Sequence, residues 1–418
     1  MSMEKIVLLG AFGRDFHNFL SFFKKDKSKK VIGFCYTQLP LEVKKFPKEL
    51  CGKGYSDIPI FSETELESFI QENKVDAVYL SYSDISPEEL QDKIQKILKA
   101  GAEFRVLPFG KTLLKTKIPV IAVVGSRTGS GKSTISRKIA ENLKNNGFKV
   151  VVLRHPMPYS GFQKVQEFRS VRDLDNLTFE EIEEYYHYVK RGIPILAGVD
   201  YSEVLKKAES MKPDFLIWDG GNNDVPFVEW NWLIFVADVT RPGHEITYFP
   251  SLYNLKNADI VILTKCNLIK KNKLKKLVEE YKRINQSANV IFSEFVLHAT
   301  PKINLKDKKV VLVEDSPSLT HGEIRHGAAY AFAKSQKAII LSSKKYAKGA
   351  LQNIFKKYPD LISIPSLGYA ETQKKDVEET INNCPADYVI SSTPILKFLS
   401  IKKKIINVFW DIKFKKIF

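Results

Sequence analysis

The sequence predicts an α/β protein built on mainly parallel sheets. Two observations predict it. Short β-branched and aliphatic runs recur along the whole chain, and stretches of helical periodicity separate them. That alternation is how strand–helix–strand units read. The runs also fall into three blocks joined by polar, basic segments. The first block, 1–117, ends in Lys111-Thr-Leu-Leu-Lys-Thr-Lys117. The second is 118–305, and Pro301 to Lys309 leads into the third, 306–418.

Composition narrows the class. The 418 residues carry 65 Lys+Arg against 48 Asp+Glu, a net charge of +17. At roughly 150 residues per domain the length suits two to three domains. A hydrophobic fraction of 44% excludes disordered and fibrous classes. No window approaches about 18 uninterrupted apolar residues, so no membrane span is expected. The start, Met1 to Phe12, lacks the cleavage pattern of a secretory signal. Cys35, Cys51, Cys266 and Cys384 lie far apart without C-x-x-C spacing. Neither a disulfide framework nor a zinc site follows, and a cytoplasmic location is expected. The lysine clusters, Lys265 to Lys276 and Lys397 to Lys416, read as solvated faces. A nucleic-acid platform would interleave aromatics with Arg, so nucleic acid is not an expected partner.

In the first block, Ile6–Leu9 runs into Gly10-Ala-Phe-Gly13-Arg14, a strand, a Gly turn and a helix start. This is Rossmann-like, although the third Gly of G-x-G-x-x-G is missing. Arg14, His17 and Asn18 stand where they could touch an anion. Strand Ala77–Ser81 ends in Tyr82-Ser-Asp-Ile-Ser86, and Ser86 before Pro87-Glu88-Glu89 reads as a helix cap.

The second block opens on the strongest signal. Strand Pro119–Val124 leads into a Gly-rich turn, and a helix follows at Lys132 with Ile135, Ile139 and Leu143 on one face. Strand, loop and helix in that order make a P-loop. The nucleotide-binding residues expected are Gly125, Ser126, Arg127, Thr128, Gly129, Ser130, Gly131, Lys132, Ser133 and Thr134. Gly129 and Gly131 let backbone N–H groups reach phosphate oxygens. Lys132 would reach the terminal phosphates and Ser133 would ligate Mg²⁺. Phe215-Leu-Ile-Trp218 delivers Asp219 to the sheet edge, where it would hold Mg²⁺ directly or through water. Two further strand ends carry cations, Arg154-His155 and Arg241-Pro-Gly-His244. Ligands of open parallel sheets bind at such ends. Arg127, Lys132, Arg154 and Arg241, with His155, are therefore expected to face a second, multiply anionic small metabolite. Thr264-Lys265-Cys266-Asn267 stands where a base would be read. The guanine-reading Asp of N-K-x-D is absent there, so Lys265 and Asn267 are expected beside ATP, with GTP accepted under loose selectivity.

In the third block, Val310–Val313 leads to Glu314-Asp315 and a loop holding His321, a candidate general acid, base or phosphate donor.

Arg127-Thr-Gly-Ser-Gly-Lys-Ser133 resembles the deviant loop K-G-G-x-G-K-T/S of SIMIBI-type P-loop NTPases, with Arg127 in the place of the extra lysine, which implies that Arg127 bridges phosphates within one site or across a homodimer. The Gly125 to Lys132 spacing is similar to that of dethiobiotin synthetase. Six segments taken together resemble the cyclic 2,3-diphosphoglycerate synthetase-related family, some members of which are labelled predicted GTPases. They are Gly10 to Asn18, Arg127 to Ser133, Arg154 to Tyr159, Trp218 to Asp224, Arg241 to Glu245 and Leu319 to Gly322. The resemblance implies a central P-loop NTPase domain flanked by a Rossmann-like N-terminal domain and a smaller C-terminal α/β domain. It also implies a Mg-ATP-dependent ligase or phosphotransferase that closes an intramolecular phosphoanhydride in 2,3-bisphosphoglycerate. The alternative is a nucleotide-dependent switch or delivery protein, as many SIMIBI members are.

Overall fold

The computed structural model describes residues 3–415 apart from 11, 38–43, 158–160, 316–325 and 369. The chain divides into two compact units that interleave in sequence. The first comprises Met1–Glu167, Ile193–Leu263 and Ile269–Ile291, and the second Phe168–Gly192, Thr264–Leu268 and Phe292–Phe418.

The first unit holds two sheets. One has the strand order Lys45–Phe46, Ile58–Ser62, Lys29–Tyr36, Glu4–Gly10, Ala77–Ser81, Glu103–Val106. Neighbours are parallel except at the short Lys45–Phe46 edge. The order reverses between Glu4–Gly10 and Ala77–Ser81, as in a Rossmann sheet, and places a crevice at their carboxyl ends. Both faces of Glu4–Gly10 are covered. Ile6 and Leu8 pack with Phe16, Phe19 and Phe34, whereas Val7 and Leu9 pack with Ile70, Val78 and Leu80. A strand covered on both faces needs an unbroken aliphatic run, which Ile6-Val-Leu-Leu9 supplies.

The other sheet of this unit runs Ile260–Thr264, Trp232–Asp238, Val120–Gly125, Phe215–Trp218, Val150–Leu153, Ile195–Ala197. Val120–Gly125 lies in the middle, parallel to Phe215–Trp218 on one side and to Trp232–Asp238 on the other. Phe215–Trp218 is also parallel to Val150–Leu153. The carboxyl ends of four strands therefore share one edge, and the segments that carry Gly125 to Lys132, Arg154-His155, Asp219 and Arg241 leave from it.

In the second unit, Lys309–Glu314 pairs in parallel with Ile339–Ile340, Ile364–Pro365 and Tyr388–Ser391. Tyr388–Ser391 is parallel to Lys404–Lys415, which runs antiparallel to Asn289–Thr300. The small side chains Ala328, Ala329 and Ala333 let the helix Ala328–Ser335 lie close on Val310, Leu312 and Ile390. Among the described residues no helix is long and apolar enough to cross a membrane.

The two sheets of the first unit meet through buried charge. Arg14 opens the helix Arg14–Ser21, and its Nε lies 2.5 Å from Asp224 Oδ1. Its guanidinium also donates to the Val225 carbonyl and sits over the Phe227 and Phe109 rings, 4.9 and 5.1 Å from their centroids. His17, one turn on, stacks on Phe227 at 4.0 Å, and its Nε2 lies 2.8 Å from the Thr112 carbonyl oxygen. Burial pushes the Asp224 carboxyl above its usual range, and Arg14 pulls it partly back. Removing one partner of such a pair leaves an uncompensated buried charge, which costs about 3–5 kcal/mol. Arg14→Ala is therefore expected to lower the unfolding free energy by about 3 kcal/mol or more, read from urea melts of the whole chain.

Candidate active site

The phosphate loop is built by close backbone approach. Val120–Gly125 is buried almost throughout and delivers Gly125 to the sheet edge. Gly125 N–H donates to the Asn222 carbonyl at 3.0 Å, and Ser126 N–H to the Val236 carbonyl at 2.9 Å. A Cβ on Gly125 would lie 2.5 Å from Ser130 Oγ, so a side chain there would break the turn. Gly129 and Gly131 have φ of 77° and 97°, the left-handed region that glycine enters at no steric cost. Helix Lys132–Asn145 follows, and no side chain caps its N-terminus. Its first N–H groups and its dipole thus favour an anion at the loop. Ser133 and Thr134 are part-exposed in that first turn.

Two cations share one carboxylate behind the loop. Lys132 Nζ donates to Asp219 Oδ1 at 2.6 Å and to the Gly220 carbonyl at 2.8 Å. Arg154 Nη1 lies 2.8 Å from Asp219 Oδ2. Ser136 Oγ adds a third donor to Asp219 at 3.0 Å. Asp219 is fully buried, and Lys132 and Arg154 are 7% and 5% exposed. The trio carries a net positive charge in a dry place. Desolvation lowers the Lys132 ammonium to about 8, with Asp219 opposing and Arg154 reinforcing the shift. Phosphate oxygens would restore the missing negative charge.

Other expected residues gather around this core. His155 follows Arg154 and is half-buried. A Cβ built on Gly13 would lie 2.7 Å from its Cδ2, and one on Gly221 would lie 3.4 Å from it. Burial, with the neighbouring Arg154, lowers the imidazole to about 3, so it stays neutral at ordinary pH. Arg241 Nε lies 3.0 Å from Asp238 Oδ2, and its Nη2 donates to the Thr128 carbonyl at 2.8 Å. Arg127 lies over the Tyr248 ring at 4.1 Å and donates to its hydroxyl at 3.0 Å. Lys265 and Asn267 belong to the second unit. There Asn267 exchanges hydrogen bonds with the Phe295 backbone, and the Lys265 Nζ stands 6.0 Å from the Phe295 ring. His321 lies outside the described residues.

Sequence reasoning passed over two contributors. Asp84 lies in the capping segment that ends at Ser86, and Ser86 does cap the helix Pro87–Lys99. Asp84 itself reaches the phosphate loop, where its Oδ2 accepts from Thr128 N–H at 3.0 Å. Asn223 is fully buried. Its Oδ1 accepts from Asp84 N–H at 2.6 Å, and its Nδ2 donates to Ser251 Oγ at 2.8 Å. The Asn222-Asn223 pair after the Gly turn was the available signal, since two adjacent amides next to a phosphate loop supply donors and acceptors together.

Comparison with known proteins identifies the family. A family model described as the P-loop domain of cyclic 2,3-diphosphoglycerate synthetase matches residues 192–294, a segment that contains Asp219, Asp224 and Arg241. The chain is 41% identical to arginine synthetase ArcE of Thermococcus kodakarensis over 420 residues, spanning 98% of this chain and 94% of ArcE. It belongs to the cyclic 2,3-diphosphoglycerate synthetase-related family, together with ArcE. Within that family, the cyclic 2,3-diphosphoglycerate synthetase of Pyrococcus furiosus is 24% identical over 305 residues, 66% of this chain and 68% of the relative. The chain is a P-loop, NTP-dependent enzyme of the synthetase type.

Titration of Lys132 gives this family member a signature. The folded value of about 8 lies below the ordinary 10.5, so between those pH values the unfolded chain binds more protons. Lys132 therefore makes the ligand-free protein more stable as pH rises through that window. Nucleotide binding runs the other way, because phosphate needs the charged amine. MgATP affinity is expected to fall by up to about tenfold per pH unit above pH ~8, and Lys132→Met to remove that dependence, as followed by titration calorimetry.

Proposed function

We propose that this enzyme is a Mg-ATP-dependent ligase that forms arginine. The observation that carries the reading is the end-to-end match to ArcE, a protein named arginine synthetase. The bisphosphoglycerate synthetase of Pyrococcus furiosus matches a smaller share at lower identity. Charge balance supports the same choice. Arg14 pairs with Asp224, Arg241 with Asp238, and Arg127 faces Asp84, while Lys132 and Arg154 share Asp219. Cations this well matched suit a zwitterionic acceptor better than a bisphosphate, because little surplus charge is left beyond what the nucleotide needs.

Arginine differs from its ureido analogue, citrulline, by one nitrogen in place of the ureido oxygen. That oxygen is a poor leaving group until it is phosphorylated. In the proposed sequence it attacks the γ-phosphorus and ADP leaves. Ammonia then attacks the ureido carbon, phosphate leaves, and the nitrogen sheds a proton. Lys132 and Arg127 would bind the transferring phosphoryl group, and Arg154 would hold Asp219 in place. Ser133 and Asp219 would hold Mg²⁺, which neutralises charge on the phosphates when bound. Asp219 already accepts from Lys132, so Lys132 would pass from it to the nucleotide. His155 stays neutral and would serve as a hydrogen-bonding group on the substrate side, with Arg241 bracing the loop at Thr128. ATP is favoured over GTP because Thr264 to Asn267 lacks the guanine-reading Asp.

The test combines the purified chain with Mg²⁺, ATP, citrulline and ammonium. Arginine and ADP should appear in equal amounts, and Lys132→Ala should reduce turnover by at least about a hundredfold. A new phosphoanhydride signal in phosphorus NMR with 2,3-bisphosphoglycerate, and no arginine, would overturn the reading. ADP formed equally with and without either acceptor would point to the nucleotide switch.

A further inference from the structure

We infer that Asp84, supplied by the first sheet of the first unit, is a positioning residue that holds Arg127 over the phosphate loop for phosphoryl transfer. This rests on the ATP-turnover part of the proposed function and not on which acceptor is used. Arg127 stands five residues before Lys132, close enough along the loop for both cations to face one polyphosphate. A long guanidinium helps a transition state only if it is held where charge develops before the reaction starts. Arg127 is 6% exposed and is held from two directions. Its face lies against the Tyr248 ring, and its Nε lies 3.6 Å from Asp84 Oδ1.

Asp84 is itself fixed with unusual care. It follows the strand Ala77–Ser81 at the sheet's carboxyl edge and has φ of 59°. Aspartate is one of the few residues that enters this left-handed region without great cost. Its backbone N–H is shared between Asn223 Oδ1 at 2.6 Å and the Phe249 carbonyl at 3.0 Å. Its Oδ2 accepts from both the backbone N–H and the hydroxyl of Thr128. One carboxylate thus ties the residue after Arg127 by its backbone and Arg127 itself by charge. Asn223 ties this corner back to the loop, since Ser251 Oγ, its partner, donates to the Ser126 carbonyl at 2.5 Å.

The charge of Asp84 separates this role from nucleotide binding. A carboxylate near phosphate oxygens opposes them, so removing its charge cannot weaken binding by electrostatics. If Asp84 positions Arg127, its loss falls on the chemical step instead.

The experiment measures ADP release from MgATP by the whole chain, with and without acceptor, so it reads out whether or not arginine is formed. Asp84→Asn keeps an acceptor for Thr128 and loses only the charge. It should lower kcat about tenfold and leave KM for MgATP unchanged or reduced. In an Arg127→Ala background the same change should alter kcat less than about twofold, because groups acting through one another do not add. Asp84→Gly, which enters the left-handed region at no steric cost, should give the same pattern, and it serves if the Asn variant melts early. Independent, multiplying effects of Asp84→Asn and Arg127→Ala would overturn the proposal. So would a raised KM with kcat unchanged, or wild-type kinetics in both Asp84 variants.

Discussion

One buried carboxylate, Asp219, holds two buried cations, and the rest of the site is arranged around that imbalance. Lys132 and Arg154 come from different segments, the start of the helix after the phosphate loop and the end of a neighbouring strand. Burial lowers the Lys132 ammonium and Asp219 opposes that shift, while one carboxylate carries one negative charge against two positive ones. The parallel order of Val150–Leu153, Phe215–Trp218 and Val120–Gly125 brings all three residues to one edge.

The first sheet is more than a neighbour of the phosphate loop. Its helix start sends Arg14 to Asp224, and its strand-end loop sends Asp84 to Thr128. One contact lands on the segment after the Asp219 turn and the other on the glycine-rich loop itself.

Much of the site was legible because it is local. A strand, a glycine turn and a helix within sixteen residues, Pro119 to Thr134, are dictated by sterics and by periodicity, and both can be read in one line of sequence. Asp219 was legible for a similar reason, since an apolar run followed by Asp-Gly-Gly can only end at a sheet edge. The pairings were not legible. Arg14 and Asp224 lie 210 residues apart, and Asp84 and Thr128 lie 44 apart. No local pattern distinguishes a strand-end arginine that awaits an anion from one that already has a carboxylate. Asp84 was hidden further by a true local signal, the Ser86 cap two residues later.

The sequence by itself determined the α/β class and the strand, glycine turn and helix of the phosphate loop, because each follows from interactions between near neighbours along the chain. It also bore the resemblance to a family of synthetases through short motifs in order. Tertiary structure alone decided which charge meets which, and so how much of the cationic edge remains for substrate. It made Asp219 the shared partner of Lys132 and Arg154, and it brought Asp84 to the loop. Those outcomes depend on strand order and on the meeting of two sheets. A buried charge is governed by whatever lies within a few ångströms, and distance along the chain does not specify that.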